Sequence, residues 1–276
     1  MAQALLEKIT EELKSSCPFL CGIVLGGSRA AGLPSEDSDY DIGLYYDPAT
    51  IDYDLLNRAA SRLDDGHREG LVCRAGEWGR WVNAGGWLTV DGCPVDLLLR
   101  DLSRVKAILD STDRGEYSVH YQTGHPHAYL DVMYRGELAS CRILHAGTDE
   151  LPAIKRRAET YPAALRRSLI GNFLFEASFS RMLAEKSRPA GDLAYLTGHL
   201  FRSLSALNQV LFALNEVWCL NEKKASLRAA SFPKCPPRYA ERVNRIFLRP
   251  GEAPEEAIAM LGDLCRETEA LCREEF

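Results

Sequence analysis

Residues 39–46, Asp-Tyr-Asp-Ile-Gly-Leu-Tyr-Tyr, form a short apolar run that begins with two aspartates. The length of this run and its aromatic and branched side chains predict a buried β-strand. Since side chains alternate across a strand, Asp39 and Asp41 project from one face while Tyr40 points to the other. Two carboxylates on one buried face repel each other and lose hydration unless a positive charge lies between them. We therefore expect a cation beside this strand.

The first 110 residues predict a unit in which helices and strands alternate around a sheet. The evidence is apolar spacing, short apolar runs and turn residues between them. The predicted elements are a helix over residues 2–15, a strand over 21–27, a helix over 51–63 with Asp52 as its N-cap, two strands over 85–101 joined at Asp91-Gly92, and a helix over 102–109.

The pattern changes beyond about residue 148, where strand-like runs disappear and helical spacing dominates. An apolar residue recurs every three or four positions along one long helix: Leu193, Leu196, Leu200, Leu204, Leu207, Leu211, Leu214 and Trp218. Similar patterns over residues 161–186 and 254–272 predict a bundle of about four or five helices. We place the domain boundary between residues 148 and 149, which gives domains 1–148 and 149–276.

The composition narrows the class of protein. Glu7, Glu11 and Glu12 stand where a secretory signal would be basic and then apolar, and no run approaches the roughly 20 apolar residues of a membrane span. The nine cysteines include no Cys-x-x-Cys pair, which favours reduced thiols over a zinc or redox site. The formal charge of −6 makes nucleic acid a less favoured partner. We expect a soluble, cytoplasmic protein with no membrane partner.

A Gly-Gly-Ser turn precedes the acidic strand and indicates a site for phosphate. Gly26 and Gly27 remove side chains where backbone N–H groups must approach an anion closely. Ser28 offers a hydroxyl and is placed to cap a helix that begins at Arg29, whose charge also suits phosphate. Aspartate oxygens suit a hard cation such as Mg²⁺ or Mn²⁺, which completes its shell with water and substrate phosphate. The two features together predict a phosphate-bearing substrate.

This stretch resembles the signature of the DNA polymerase β-like nucleotidyltransferase superfamily, in which Gly-Ser, a linker and Asp-x-Asp follow one another. The resemblance covers residues 22–46. It implies an α+β nucleotidyltransferase fold, a small mixed β-sheet flanked by helices, followed here by the helical domain. It also implies that Asp39 and Asp41 bind two Mg²⁺ ions, and that Asp96, on a neighbouring strand, completes the site of the catalytic ion. Gly27, Ser28 and Arg29 would then contact the nucleotide.

Two further stretches resemble bacterial stand-alone nucleotidyltransferases with a helical C-terminal domain, including those that modify aminoglycoside and lincosamide antibiotics. They are residues 124–139 and residues 210–224. This resemblance implies that Lys223 or Lys224, at the end of the long helix, contacts the triphosphate. It also makes Glu137 a candidate base near the acceptor hydroxyl.

The resemblance implies Mg²⁺-dependent transfer of a nucleoside monophosphate from an NTP such as ATP to a hydroxyl of a small molecule, with release of pyrophosphate. An antibiotic is one acceptor of this kind. The proton of the acceptor would go to Asp96 or Glu137, and we prefer Asp96 because a carboxylate beside the metal is sufficient as the base. A homodimer is compatible with these features.

Other interpretations stay open at this stage. The enzyme could instead modify a macromolecule, either a tRNA or a protein as in toxin–antitoxin systems, or the chain could be a non-catalytic nucleotide-binding module. The candidate residues also have ordinary structural interpretations: Asp39 and Asp41 in a solvated acidic loop, Asp96 paired with Arg100 at a strand edge, and Arg29 paired with Glu36 or Asp37.

Overall fold

The computed structural model describes residues 2–30, 38–188 and 191–275, and these residues form two compact units. The first unit contains the described residues up to Ser111, together with Ser118–Thr123 and Tyr129–Thr160. The second contains Thr112–Tyr117, Gly124–Ala128 and the described residues from Tyr161 onward. The boundary between residues 148 and 149 stays a prediction about domains, while the compact units change over at Thr160.

Within the described residues, the first unit has a five-stranded sheet of order β3-β4-β2-β1-β7. Its strands are β1 (Leu20–Leu25), β2 (Tyr40–Tyr46), β3 (Ala84–Val90), β4 (Cys93–Asp101) and β7 (Arg142–Ala146). β2 and β4 run parallel, and the other neighbours are antiparallel, so the sheet is mixed. A separate two-stranded pair consists of β5 (Val119–His120) and β6 (Tyr129–Leu130). The predicted mixed sheet is confirmed.

Three helices of the first unit, those predicted over residues 2–15, 51–63 and 102–109, begin within two residues of the predicted positions. The described helices of this unit are α1 (Ala2–Ser16), α2 (Gly27–Ala30), α3 (Tyr53–Leu63), α4 (Leu102–Asp113), α5 (Val132–Ser140) and α6 (Glu150–Glu159). Asp52 caps α3, since its carboxylate accepts hydrogen bonds from two backbone N–H groups at 2.9 Å. α4 continues for four residues beyond the predicted end at Leu109, and Thr112 in this extension is buried.

The hairpin between β3 and β4 turns at Asp91-Gly92, as predicted. Both residues have positive φ, 50° and 73°, which is the conformation of a two-residue turn whose twist matches that of the strands. Asp65 accepts the N–H groups of both turn residues at 2.9 and 2.8 Å. These contacts hold β4, and with it Asp96, in a defined register.

Apolar side chains cover both faces of the sheet. One face packs against α1 and α3 and includes Ile42 and Leu44 of β2. The other face includes Tyr45 of β2 and packs against α4, α5 and α6. Because side chains alternate along β2, Asp41 lies on the face of Tyr45.

The second unit is helical, as predicted, and its described part contains five helices. They are α7 (Ala163–Ser187), α8 (Leu193–Leu214), α9 (Ala225–Ala229), α10 (Tyr239–Leu248) and α11 (Pro254–Arg273). The leucine stripe from Leu196 to Leu214 is buried on α8. Among the described residues, no helix combines the length and the apolar character needed to cross a membrane.

The predicted extension of the long helix to Trp218 is wrong. α8 ends at Leu214 because Asn215 follows as its C-cap and donates its side-chain amide to the Leu211 carbonyl at 2.8 Å and to the Lys234 carbonyl at 2.9 Å. Trp218 lies beyond this end, and its ring stacks on Tyr161 with centroids 4.2 Å apart. Trp218 is buried, which is why it continues the apolar spacing in the sequence, but it packs against Tyr161 and does not belong to α8.

A buried carboxylate ties the end of α3 to β3. Asp64 is 1% exposed and accepts hydrogen bonds from Arg68 Nε at 2.9 Å, Arg68 Nη2 at 2.6 Å and Thr89 N at 2.9 Å. The hydrogen bonds from Arg68, and then those from the backbone, hold the pKa of Asp64 well below its usual range. The ionised carboxylate therefore stabilises the fold.

Replacing Asp64 by Ala is expected to lower the free energy of unfolding by about 2 kcal/mol, because the buried N–H of Thr89 loses its acceptor. Since the pKa of Asp64 is lower in the folded protein, this contribution is complete above about pH 4, the unfolded pKa, and disappears as the pH falls through the folded value. Urea titrations of both proteins from pH 7 to pH 3 measure the difference, which should shrink at acidic pH.

Lys8→Ala serves as the control, since it removes an ion pair with Asp91 in which both side chains are about half exposed. Such a pair contributes about 0 to 1 kcal/mol. A loss of stability in Asp64→Ala no larger than that in Lys8→Ala, or one independent of pH, would contradict the role of Asp64.

Candidate active site

Asp41 and Asp96 lie side by side on neighbouring strands. They are Cα partners in the parallel pairing of β2 and β4, where strands are about 4.8 Å apart. Partners in register project to the same face of the sheet, here the face of Tyr45 and Arg100. Asp96 lies on a strand with neighbours on both sides, so the edge position considered above does not apply to it.

Asp39 is exposed and lies immediately before β2. Arg29 fixes the backbone at this point, because its guanidinium donates to the Ser38 carbonyl at 2.5 and 2.9 Å and to the Asp39 carbonyl at 3.2 Å. The same group lies 3.9 Å from the centre of the Tyr40 ring. Arg29 therefore fixes the backbone at the point where β2 begins. Glu36 and Asp37, considered above as its partners, lie outside the described residues.

The Gly-Gly-Ser turn packs directly against Asp41. The N–H of Gly26 donates to the Asp41 carbonyl at 2.7 Å, and Gly27 has φ of +60°. A Cβ on Gly27 would lie 1.7 Å from Asp41 Oδ2, so only glycine fits here. The predicted helix start at Arg29 with Ser28 as its cap is wrong, because α2 begins at Gly27 and contains Ser28.

Burial and neighbouring negative charges raise the pKa values of Asp41 and Asp96. Burial raises the pKa of Asp41 to about 6, and the negative charges of Asp96, Asp39 and Glu137 add to the effect, while Arg100 opposes it. Burial also raises the pKa of Asp96, with a contribution from Asp39. Among the described residues of the first unit, Arg100 therefore offsets the negative charge around Asp41 only in part.

Arg100 pairs with Glu137 and not with Asp96. Its Nε and Nη2 donate to the two carboxylate oxygens of Glu137 at 2.7 and 3.0 Å, and its Nη1 donates to the carbonyls of Val82 and Leu99 at 3.1 Å. Burial works against the charge of Arg100, yet Glu137 holds the pKa of the guanidinium above its usual value. The sequence contained no sign of this pair, because Glu137 comes from α5.

The donor atoms fit a hard cation. Across residues 2–30, 38–188 and 191–275, no three His, Cys, Asp or Glu side chains form a ready-made metal site. Mg²⁺, however, needs only one or two protein carboxylates and takes its remaining ligands from water and substrate phosphates. Asp41 and Asp96 supply such a pair, and their raised pKa values show that a positive charge would be favourable between them.

Lys223 and Lys224 belong to the second unit, where both are exposed. They do not lie at the end of the long helix, since α8 ends at Leu214. Lys224 has φ of 61° and stands at the N-cap of α9. Their contact with a triphosphate stays a prediction.

Comparison with known proteins identifies the N-terminal part of the chain. A family model described as the nucleotidyltransferase domain matches residues 6–110. None of the curated proteins compared with the chain matches it. The matched range contains the Gly-Gly-Ser turn, Asp39, Asp41 and Asp96.

The chain is similar to two solved structures. A nucleotidyltransferase-like protein from Exiguobacterium sibiricum 255-15 is similar at 12% identity and a TM-score of 0.48, over 100% of this chain and 76% of that protein. Spectinomycin adenyltransferase AAD(9) from Enterococcus faecialis, solved with ATP and spectinomycin, is similar at 13% identity and a TM-score of 0.36, over 96% of this chain and 97% of that protein. The match over residues 6–110 identifies this part of the chain as a nucleotidyltransferase domain.

Proposed function

We propose that the protein transfers a nucleoside monophosphate from an NTP to a hydroxyl of a small molecule, with Mg²⁺ or Mn²⁺ as cofactor and pyrophosphate as the second product. The observation that carries this proposal is the register pairing of Asp41 with Asp96 beside the side-chain-free Gly27. An antibiotic acceptor is one member of the proposed class, suggested by the resemblance to antibiotic nucleotidyltransferases.

Asp41, Asp96 and Asp39 would hold the metal. Bound there, Mg²⁺ supplies neutralising charge for the phosphates and lowers the pKa of the acceptor hydroxyl. The protein contributes the position of these ligands, because the β2–β4 register and the Arg29 contacts with Ser38 and Asp39 fix where each carboxylate begins.

The turn of residues 26–28 would hold the leaving phosphates. Gly26 and Gly27 expose backbone without side chains, and Ser28 adds a hydroxyl in the first turn of α2. The N–H of Gly26 is already used by the Asp41 carbonyl, so it ties the turn to the metal ligand instead of binding phosphate. This hydrogen bond fixes the distance between the turn and Asp41.

Asp96 is the better candidate for the base. Its raised pKa brings its basicity closer to that of the group whose proton it would accept. Glu137 uses both carboxylate oxygens for Arg100, and a carboxylate that leaves this pair would leave a buried cation unpaired. We therefore assign proton transfer to Asp96 and a structural role to Glu137.

Two other functions are tested by the same experiments. Modification of a tRNA or a protein would give labelled macromolecule, and the net charge of −6 weighs against RNA. A non-catalytic nucleotide-binding module would bind NTP without turnover. Pairing of two chains stays a prediction that a mass measurement in solution can test.

Removing the charge of Asp41 should stabilise the protein in the absence of metal. With a pKa near 6 in the folded state, Asp41 costs stability as the pH rises from about 4 through 6, and this cost is complete above pH 7. Asp41→Asn is therefore expected to raise the free energy of unfolding by about 2 kcal/mol at pH 7.5 in EDTA. Urea denaturation measures the gain.

The same variant should lose the thermal stabilisation that Mg²⁺ and NTP together give to the wild type, compared for ATP, CTP, GTP and UTP. Asp54→Asn, an exposed acid in the first turn of α3, is the matched control and should change neither result. An Asp41→Asn protein less stable than wild type in EDTA would refute the electrostatic account of the site.

Loss of a metal ligand should abolish turnover. Asp39→Asn and Asp41→Asn are expected to fold and yet to transfer labelled nucleotide at least about a hundredfold more slowly, because developing charge at the phosphates loses its stabilisation. The assay follows α-labelled NTP into product, with small molecules from a cell extract as acceptors and Asp54→Asn as control. Turnover of either variant at the wild-type rate would mean that the mechanism is wrong.

Glu137→Gln separates the structural role from the role of base. Loss of the charge that pairs with the buried Arg100 is expected to destabilise the fold by about 3 kcal/mol. The turnover number of the folded variant is expected to stay within about tenfold of the wild-type value. Turnover below the unfolding temperature is measured against pH. A fall of more than about a hundredfold, with loss of the acidic limb of the profile, would make Glu137 the base instead.

A further inference from the structure

An exposed tryptophan stands in register with the acids. Trp87 on β3 is the Cα partner of Asp96 on β4, which is the Cα partner of Asp41 on β2. The three residues therefore project to the same face of three consecutive strands, and Trp87 begins about 10 Å from Asp41. The side chain of Trp87 is 62% exposed.

The Trp87 ring is supported by a second indole. Trp78 stacks on Trp87 with ring centroids 4.6 Å apart and planes inclined by 25°. Gly85, two residues before Trp87 on the same face, makes this possible, since a Cβ there would lie 2.5 Å from the Trp78 ring. The two rings thus form a fixed aromatic pair with apolar surface open to solvent.

Core packing accounts for the position of Trp81 but not for the stacked pair of Trp78 and Trp87. Trp81 stacks on His120 at 4.0 Å, lies 6.1 Å from Tyr129, and accepts the hydroxyl of Tyr134 on its carbonyl. Trp81 therefore contributes to the core of the first unit. Trp87 is 62% exposed, although burying an aromatic face is favourable.

The order of the strands indicates what approaches Trp87. The phosphate turn follows β1, which pairs with β2 on the side away from β4, whereas Trp87 lies on β3 beyond β4. In phosphoryl transfer the attacking and leaving oxygens lie roughly in line on opposite sides of the phosphorus. With pyrophosphate leaving toward the β1 side, the acceptor oxygen must come from the side of β4 and β3.

We propose that Trp87, supported by Trp78, is the platform on which the acceptor is bound, and that the acceptor is a hydroxyl-bearing ring compound with a flat apolar face. This inference rests on the proposed nucleotidyl transfer. Stacking places the ring beside Asp96, where its hydroxyl can give up a proton. Linear polyols have no flat face to stack on Trp87 and are expected to be poorer acceptors than ring compounds.

Saturation-transfer NMR on the full chain tests the platform without turnover. The probes are 4-hydroxybenzyl alcohol as the ring compound and xylitol as the linear control. The ring compound is expected to bind the wild type, to bind Trp87→Ala about tenfold more weakly or worse, and to bind Trp87→Phe almost as well as wild type. Thr89→Ala, exposed on the same strand and face, should behave as wild type.

Equal binding of the ring compound to wild type and Trp87→Ala, no binding to wild type, or equal signals from xylitol would each overturn the platform. Thermal stabilisation by Mg²⁺ and NTP separates this failure from failure of the proposed function. Trp87→Ala should keep that stabilisation. If it is lost in Trp87→Ala, the stacked ring is the nucleobase and the acceptor assignment is wrong; if wild type lacks it, the nucleotide proposal fails by itself.

Discussion

The repulsion between two neighbouring carboxylates is the constraint on which the rest of the site depends. Asp41 and Asp96 occupy paired positions in the middle of the sheet, where burial raises both pKa values and neighbouring negative charges add to the effect. A fold selected for stability alone would place apolar residues there, as it does at the next paired positions, Ile42 and Leu97. The acids keep an unfavourable arrangement that a cation with phosphate ligands would convert into a favourable one.

Arg100 and Arg29 do not neutralise the negative charge of this pair of acids. Arg100 is a buried cation on the same face, but both of its charged contacts go to Glu137, whose negative charge opposes its influence on the pKa of Asp41. Arg29 gives its donors to backbone carbonyls at residues 38 and 39. Each arginine therefore fixes geometry without neutralising Asp41. A cation bound beside Asp41 and Asp96 would supply the positive charge that these two arginines do not, which is consistent with a site for a metal ion.

The local sequence pattern was sufficient to predict those parts of the site that depend on residues close together in the chain. The alternation along residues 39–46 placed Asp41 on one face of a strand, and the Asp91-Gly92 turn set the β3–β4 hairpin that carries Asp96. Local pattern failed where packing decides. It started α2 at Arg29 because Ser28 is a good cap, whereas α2 begins two residues earlier, at Gly27, which packs against Asp41. It also continued α8 to Trp218, since spacing does not register the capping contacts of Asn215.

The amino-acid order alone determined the succession of strands and helices over about the first 110 residues, the change to a helical unit and the Asp-x-Asp strand after a glycine turn, because these follow from periodicity and turn chemistry over a few residues. Only the tertiary structure decided that β4 lies parallel to β2 with Asp96 opposite Asp41, that Arg100 meets Glu137, and that Trp87 stands beside the acids. The physical reason is that strand order and register depend on the burial of whole faces, which joins residues tens of positions apart and leaves no local signature.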